Sequence, residues 1–108
     1  MEKFLGDFDE LVLTAVASLQ NDAYGAAINI ELEKWLERKV TLSLVHVALY
    51  KLEDAGYVKS KVGGATSERG GRRKRIYSIT NAGIAVLSSM KQKRKEIWKL
   101  VPQLKFHV

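Results

Sequence analysis

A chain of 108 residues, 46% hydrophobic and 28% charged, has the size and composition of one globular domain, able to bury roughly two thirds of its unfolded surface. It has no cysteine, which excludes a disulfide framework and a thiolate metal site. The net charge of +6 is unevenly divided: residues 1–58 hold 5 Lys/Arg against 10 Asp/Glu, and residues 59–108 hold 13 against 2. Halves of −5 and +11 point to one surface built to meet a polyanion, with nucleic acid as the first candidate and an anionic membrane as the second. The longest apolar run, residues 11–19, is broken by Thr14 and Ser18 and is too short to span a bilayer. It also lacks the basic flank of a signal peptide, so a soluble, cytoplasmic protein is expected.

Taken in order, residues 7–19 place Phe8, Leu11, Val12, Ala15 and Leu19 on one face of a helix. Asp7, Asp9 and Glu10 stand in its first turn, where the positive end of the dipole favours them. Leu13 and Val16 make this helix apolar nearly all round, which predicts burial on two sides, by its own core and by a partner. Asn21-Asp22 ends it. A second helix fits residues 24–38, with Ile28, Leu32, Trp35 and Leu36 as the buried stripe and Glu31, Glu33, Lys34, Glu37 and Arg38 toward water.

After the short link Lys39-Val40-Thr41, Thr41 stands as the N-cap of a third helix running to about Ala55, with Gly56 as its left-handed C-terminal cap. Leu42, Val45, Ala48, Leu49 and Leu52 share the inward face, Ser43, Val47, Tyr50, Lys51 and Asp54 the outward one, and His46 the flank. Two β-leaning runs follow, residues 57–62 and 76–80, joined by a glycine-rich loop that reads as a hairpin. The stretch Arg69 to Arg75 is cationic at five of seven positions, so Arg69, Arg72, Arg73, Lys74 and Arg75 fall at the hairpin tip and along the returning strand. Massed guanidinium and ammonium groups suit phosphate oxygens, although a solvated charged loop would read the same in isolation. Thr80 caps a last helix in which Leu87, Met90, Ile97, Val101 and Leu104 keep a 3/4 spacing, Arg94 breaks the pattern, and Pro102 marks a kink or stop.

Three helices, a two-stranded hairpin and a long final helix make a mostly α, α+β architecture, a winged helix-turn-helix with the hairpin as the wing. Such a fold inserts its third helix in the major groove of duplex DNA and lays the wing on backbone or minor groove. Because the third helix carries only Lys51 as a cation, the wing must supply most of the phosphate attraction.

Several segments in this order resemble the PadR family of winged-helix transcriptional regulators over nearly the whole chain. They are Leu5-Gly6-Asp7-Phe8-Asp9 with Leu11-Val12-Leu13, Ala23-Tyr24-Gly25, and Leu49-Tyr50-Lys51-Leu52-Glu53 with Gly56. The most specific is Glu68 to Arg75 with Tyr77, Thr80 and Gly83. The short region after the wing is similar to the subgroup with a single C-terminal helix. The resemblance implies a DNA-binding domain over residues 1–80 and a dimerisation helix over 81–108. It further implies a homodimer held by the first and last helices, repression through a near-palindromic operator, and in some members release by a small aromatic or hydrophobic effector. The family usually carries a small residue-Leu-Tyr segment in its recognition helix; Leu44-Val45-His46 stands there instead, so His46 replaces the tyrosine.

The expected DNA contacts are Thr41, Ser43, His46, Val47, Tyr50 and Lys51 on the third helix, with Arg69, Arg72, Arg73, Lys74 and Arg75 on the wing. Leu44 and Val47 could equally pack, and His46 could act as a pH-sensitive contact. Dimer or effector contacts are expected at Phe8, Leu11, Leu87, Met90, Ile97, Trp98 and Val101, with Trp98 either packing or stacking on an effector. Trp35 is assigned to the core, and Tyr24 to the core beneath the helix-turn-helix. With His46 and His107 the only histidines and no acid cluster beside them, neither a metal nor another cofactor is expected. No nucleophile–base pair or paired carboxylates stand out, so no catalysis is expected. A nonspecific DNA- or RNA-binding winged helix and a module gripping an acidic protein are the rival readings.

Since the wing carries the charge, replacing Arg72 and Arg73 by Ala should weaken specific and random duplex alike. The slope of log affinity against log salt should flatten by roughly two. An unchanged slope would take the wing out of the interface.

Overall fold

A computed structural model describes residues 5–63 and 74–102. The expected contacts Arg69, Arg72 and Arg73, together with Leu104 and His107, lie outside these residues. The elements are α1 (Asp7–Leu19), a 3-10 turn (Gln20–Asp22), α2 (Gly25–Leu36), α3 (Leu42–Asp54), β1 (Val58–Val62), β2 (Arg75–Ile79) and α4 (Asn81–Trp98).

Helix α1 is the centre of the core, touching α2, α3, β2 and α4. Its Val12, Leu13, Ala15 and Val16 are all buried within this single chain. The apolar surround expected to need a partner is therefore covered by the protein's own elements over these two turns. Ile28 and Leu32 of α2, then Val45, Ala48, Leu49 and Leu52 of α3, close the other side, and Val58, Tyr77, Val86 and Met90 complete the cluster.

Two expected core residues are not core: Trp35 is 40% exposed and Leu42 43% exposed. Both lie on the correctly phased stripe of their helices, but Trp35 is in the last turn of α2 and Leu42 opens α3. Periodicity fixes the angle of a side chain about the axis; it does not say where along the axis the covering layer ends.

The turn between α2 and α3 is pinned by side chains that periodicity sent to solvent. The carboxylate of Glu33 accepts the Val40 N–H at 2.8 Å, and the Asn29 amide donates to the Val40 carbonyl at 2.9 Å. Glu37, left-handed at φ 54°, turns the chain out of α2 while its N–H still reaches Glu33 O. Thr41 occupies the N-cap position of α3 with extended backbone, but no side-chain capping bond forms there. At the other end Gly56 adopts φ 84°, and the Tyr57 N–H returns to Leu52 O at 2.9 Å, a closure that requires the left-handed residue.

Strands β1 and β2 pair antiparallel with Val58 opposite Ile79, Ser60 opposite Tyr77 and Val62 opposite Arg75. Val58 and Tyr77 point into the core, and Lys59 and Lys61 face solvent. The link before α2 joins the outer edge of β2: the Tyr77 N–H donates to Ala23 O at 2.8 Å, and Tyr24 bridges Ile76. The wing is thus anchored directly to the helix-turn-helix.

Thr80 is a three-way joint. Its N–H donates to Tyr57 O at 3.0 Å, its hydroxyl donates to Gly56 O at 2.6 Å, and the same oxygen accepts from the Gly83 N–H at 3.1 Å. Helix α4 leaves from this joint and buries Gly83, Val86 and Met90, a stripe one residue out of phase with Leu87, which is half-buried. From Lys91 to Pro102 every residue is exposed. Helical geometry ends at Trp98, short of Pro102, and the last turn tightens into Leu100 N–H to Ile97 O and Val101 N–H to Trp98 O bonds. Arg94, which breaks the apolar pattern, lies over α1, and both its terminal nitrogens donate to the Glu10 carboxylate.

A Cβ added at Gly83 would run into the Tyr57 carbonyl oxygen, a backbone atom that cannot rotate away. Replacing Gly83 by Ala should therefore cost about 2–3 kcal/mol. In thermal unfolding followed by far-ultraviolet dichroism, the midpoint should fall by roughly 10 °C or more.

Candidate nucleic-acid interface

The outward face of α3 is free of intramolecular packing. Ser43 is exposed, Val47 is 52% exposed and Tyr50 70% exposed. Leu44, at 54%, is equally uncovered, so neither it nor Val47 serves the core. A hydroxyl, a branched aliphatic and a phenol on one helical face can offer hydrogen bonds and methyl contacts of the kind that read base edges.

Lys51 is not a free cation. Its ammonium lies 3.1 Å from the Asp9 carboxylate at the start of α1, on the far side of the helix from His46. The α1 acids, placed by the dipole of their own helix, thus also reach the neighbouring one.

On the opposite flank α3 meets the wing. Arg75 Nη1 donates to Ser60 Oγ at 3.0 Å, and the Ser60 hydroxyl donates to the Glu53 carboxylate at 2.6 Å. This relay joins β2, β1 and α3 and directs a guanidinium toward the recognition helix. Lys74, one residue earlier, holds its ammonium 4.1 Å from the centre of the Tyr24 ring, close enough for a cation–π contact. Tyr24 is half-buried at the start of α2, neither a core residue outright nor free. Between these elements opens a cleft of about 310 Å³ lined by Tyr24, Gly25, Ala26, Leu42, His46, Tyr50, Lys74, Arg75 and Tyr77. Of the expected DNA contacts, His46, Tyr50, Lys74 and Arg75 converge here, while Thr41, Ser43 and Val47 stand exposed on α3 outside its lining.

Sequence reasoning missed Asp9, Glu53 and Ser60, whose partners lie on other elements, and Gly25. A Cβ at Gly25 would come within 2.7 Å of His46 Cε1, so glycine there is what lets the imidazole lie against α2.

The expected dimer or effector residues divide. Phe8, Leu11 and Leu87 are half-buried against the core, and Met90, 3% exposed, is inside it. Ile97, Trp98 and Val101 are exposed at 57%, 70% and 39%, joined by Leu100 at 80%. Trp98 is not core in this chain. Among the described residues no helix is long and apolar enough to cross a membrane.

Burial of Tyr77 raises its phenol above the ordinary tyrosine value, and the nearby Glu53 carboxylate adds to the rise while Arg75 opposes it. The neutral phenol is the form the fold favours. Its contribution to stability is present below the ordinary value of about 10 and is lost as pH climbs through the raised one. Replacing Tyr77 by Phe should remove, from a spectrophotometric alkaline titration, a phenol that ionises above the ordinary range. Loss of a phenol titrating at the ordinary value would contradict its burial.

The sequence profile described as "Transcriptional regulator PadR-like family" matches residues 12–89. No curated protein matches the sequence. Among solved structures, a PadR family transcription regulator from hypervirulent Clostridium difficile is 26% identical with a TM-score of 0.65, over 88% of this chain and 94% of that one. A Streptococcus mutans protein is 25% identical with a TM-score of 0.64, over 92% and 91%. A PadR-like regulator from Bacillus cereus, at 18% identity, shares the fold with a TM-score of 0.69 over 86% and 85%. The profile runs from within α1 to the first half of α4, and the chain belongs to the PadR-like family of transcriptional regulators, which bind DNA and are not enzymes.

Proposed function

We propose that this regulator is a repressor that binds a near-palindromic operator as a homodimer. The observation that carries the reading is the adjacency of an uncharged outward face on α3, Ser43, Val47 and Tyr50, to the cations Lys74 and Arg75 at the start of β2. The uncharged face reads sequence and the wing supplies affinity, because phosphate contacts position a protein while base contacts discriminate. Residues 1–80 form the DNA-binding part in this reading and 81–108 the dimerisation helix. The exposed Ile97, Trp98, Leu100 and Val101 support the second assignment, since four large apolar side chains close together in sequence at one helix end favour an apolar cover. Release by a small aromatic or hydrophobic effector, stacked on Trp98, belongs to the same reading, as does a cytoplasmic location.

The test begins with genomic fragments selected by the purified protein, followed by competition against random duplex and RNA and by the mass of the complex. One duplex should be held about a thousandfold tighter than random duplex or tighter still, with two chains per site. Equal affinity for every duplex and for RNA would favour a nonspecific nucleic-acid binder. No affinity for any nucleic acid would leave the module that grips an acidic protein.

A further inference from the structure

We propose that the cleft between the first turn of α2, the wing-side flank of α3 and the start of β2 seats one phosphodiester of duplex DNA, and that His46 binds it in its protonated form. The proposal rests on the DNA-binding reading above and adds to it a site and a proton.

The cleft has the chemistry of an anion seat. Lys74 and Arg75 line it from β2, and Gly25 and Ala26 from the first turn of α2. No side chain caps that turn, so its amide dipoles remain directed at whatever occupies the cleft. Glu53 accepts the Ser60 hydroxyl, which in turn accepts from Arg75. Arg75 is therefore held through a hydroxyl and not by a direct ion pair, and Lys74 rests over the Tyr24 ring.

His46 forms the third wall. The groups facing it are Tyr24 at the start of α2, Tyr50 on its own helix, and Lys74, Arg75 and Tyr77 on β2, with Glu53 behind the relay. Among the described residues no carboxylate lines the cleft, and an incoming phosphate would supply the negative charge that an imidazolium needs. The exposed ring lies against Gly25, where a side chain could be accommodated only by displacing it. A phosphate bound beside it favours the charged imidazole, and by reciprocity the charged imidazole favours the phosphate. Binding then takes up a proton.

The experiment measures binding of the full chain to a fluorescein-labelled random-sequence duplex between about pH 8 and about pH 6, on either side of the ordinary histidine value. Random sequence suffices because the site reads backbone. Affinity should rise about fivefold or more on acidification, the low end of an ordinary coupling between two sites. His46→Gln should lose the rise, whatever its affinity at the upper pH; His107→Gln should keep it. Calorimetry in buffers of different ionisation enthalpy should show a proton taken up by the unaltered chain and by His107→Gln only. Parallel pH curves for the unaltered and His46→Gln proteins, both binding DNA, would overturn this inference and leave the DNA-binding reading intact. So would a rise that disappears with His107. Failure of the unaltered protein to bind any duplex at either pH would instead overturn the reading on which the inference rests.

Discussion

The hydrogen bond from the Tyr77 N–H to the Ala23 carbonyl is one bond among many, yet the geometry of the whole basic face depends on it. A two-stranded hairpin alone is marginal in water and has no fixed direction. With the residue before α2 paired to the edge of β2, the hairpin gains a short third member and a definite angle to the helix-turn-helix. Tyr77 then enters the core, Tyr24 meets Lys74, and Arg75 arrives beside α3. Without that bond the wing would be held to the helix-turn-helix only by its core side chains and the Arg75–Ser60–Glu53 relay.

The electrostatics follow from the same arrangement. The acidic first half and basic second half of the sequence are not two separate surfaces. Glu10 of the first half pairs with Arg94 of the second, and Glu53 joins Arg75 through Ser60, while Asp9 pairs with Lys51 within the first half. Exposed pairs of this kind contribute little to stability individually. Their effect is on position: each directs a long basic side chain that would otherwise sample many rotamers. Among the described residues lining the cleft, Lys74 and Arg75 have no acid as a direct partner.

Much of this was legible in the sequence because it is local. The bounds of α1, the left-handed Gly56, the N-cap at Thr80 and the hairpin between residues 57 and 80 all rest on signals within a few residues. So does the outward face of α3, with Ser43, Val47, Tyr50, Lys51 and Asp54. What could not be read is nonlocal. The exposure of Trp35 and Leu42 depends on where other elements stop covering the stripe. Glu33 reads as a solvent-facing acid until the chain turns back and presents the Val40 N–H. Glu10 and Arg94 are 84 residues apart, and the role of Gly25 appears only when His46 is folded against it. Val86 was hidden by a one-residue phase error, since Leu87 makes the more obvious apolar repeat with Met90.

The aim of α4 is set almost entirely by its first turn. Thr80 and Gly83 fix it through backbone carbonyls, Val86 and Met90 seat it, and Arg94 braces it against α1. Everything from Lys95 onward plays no part in choosing that direction. The outer half of the helix is therefore a region where mutation can accumulate without tilting the winged core. A lineage could exchange the exposed side chains at this end of the molecule while inheriting the winged core unchanged. Regulators that diversify in what they respond to, and keep how they grip, need a joint of this kind.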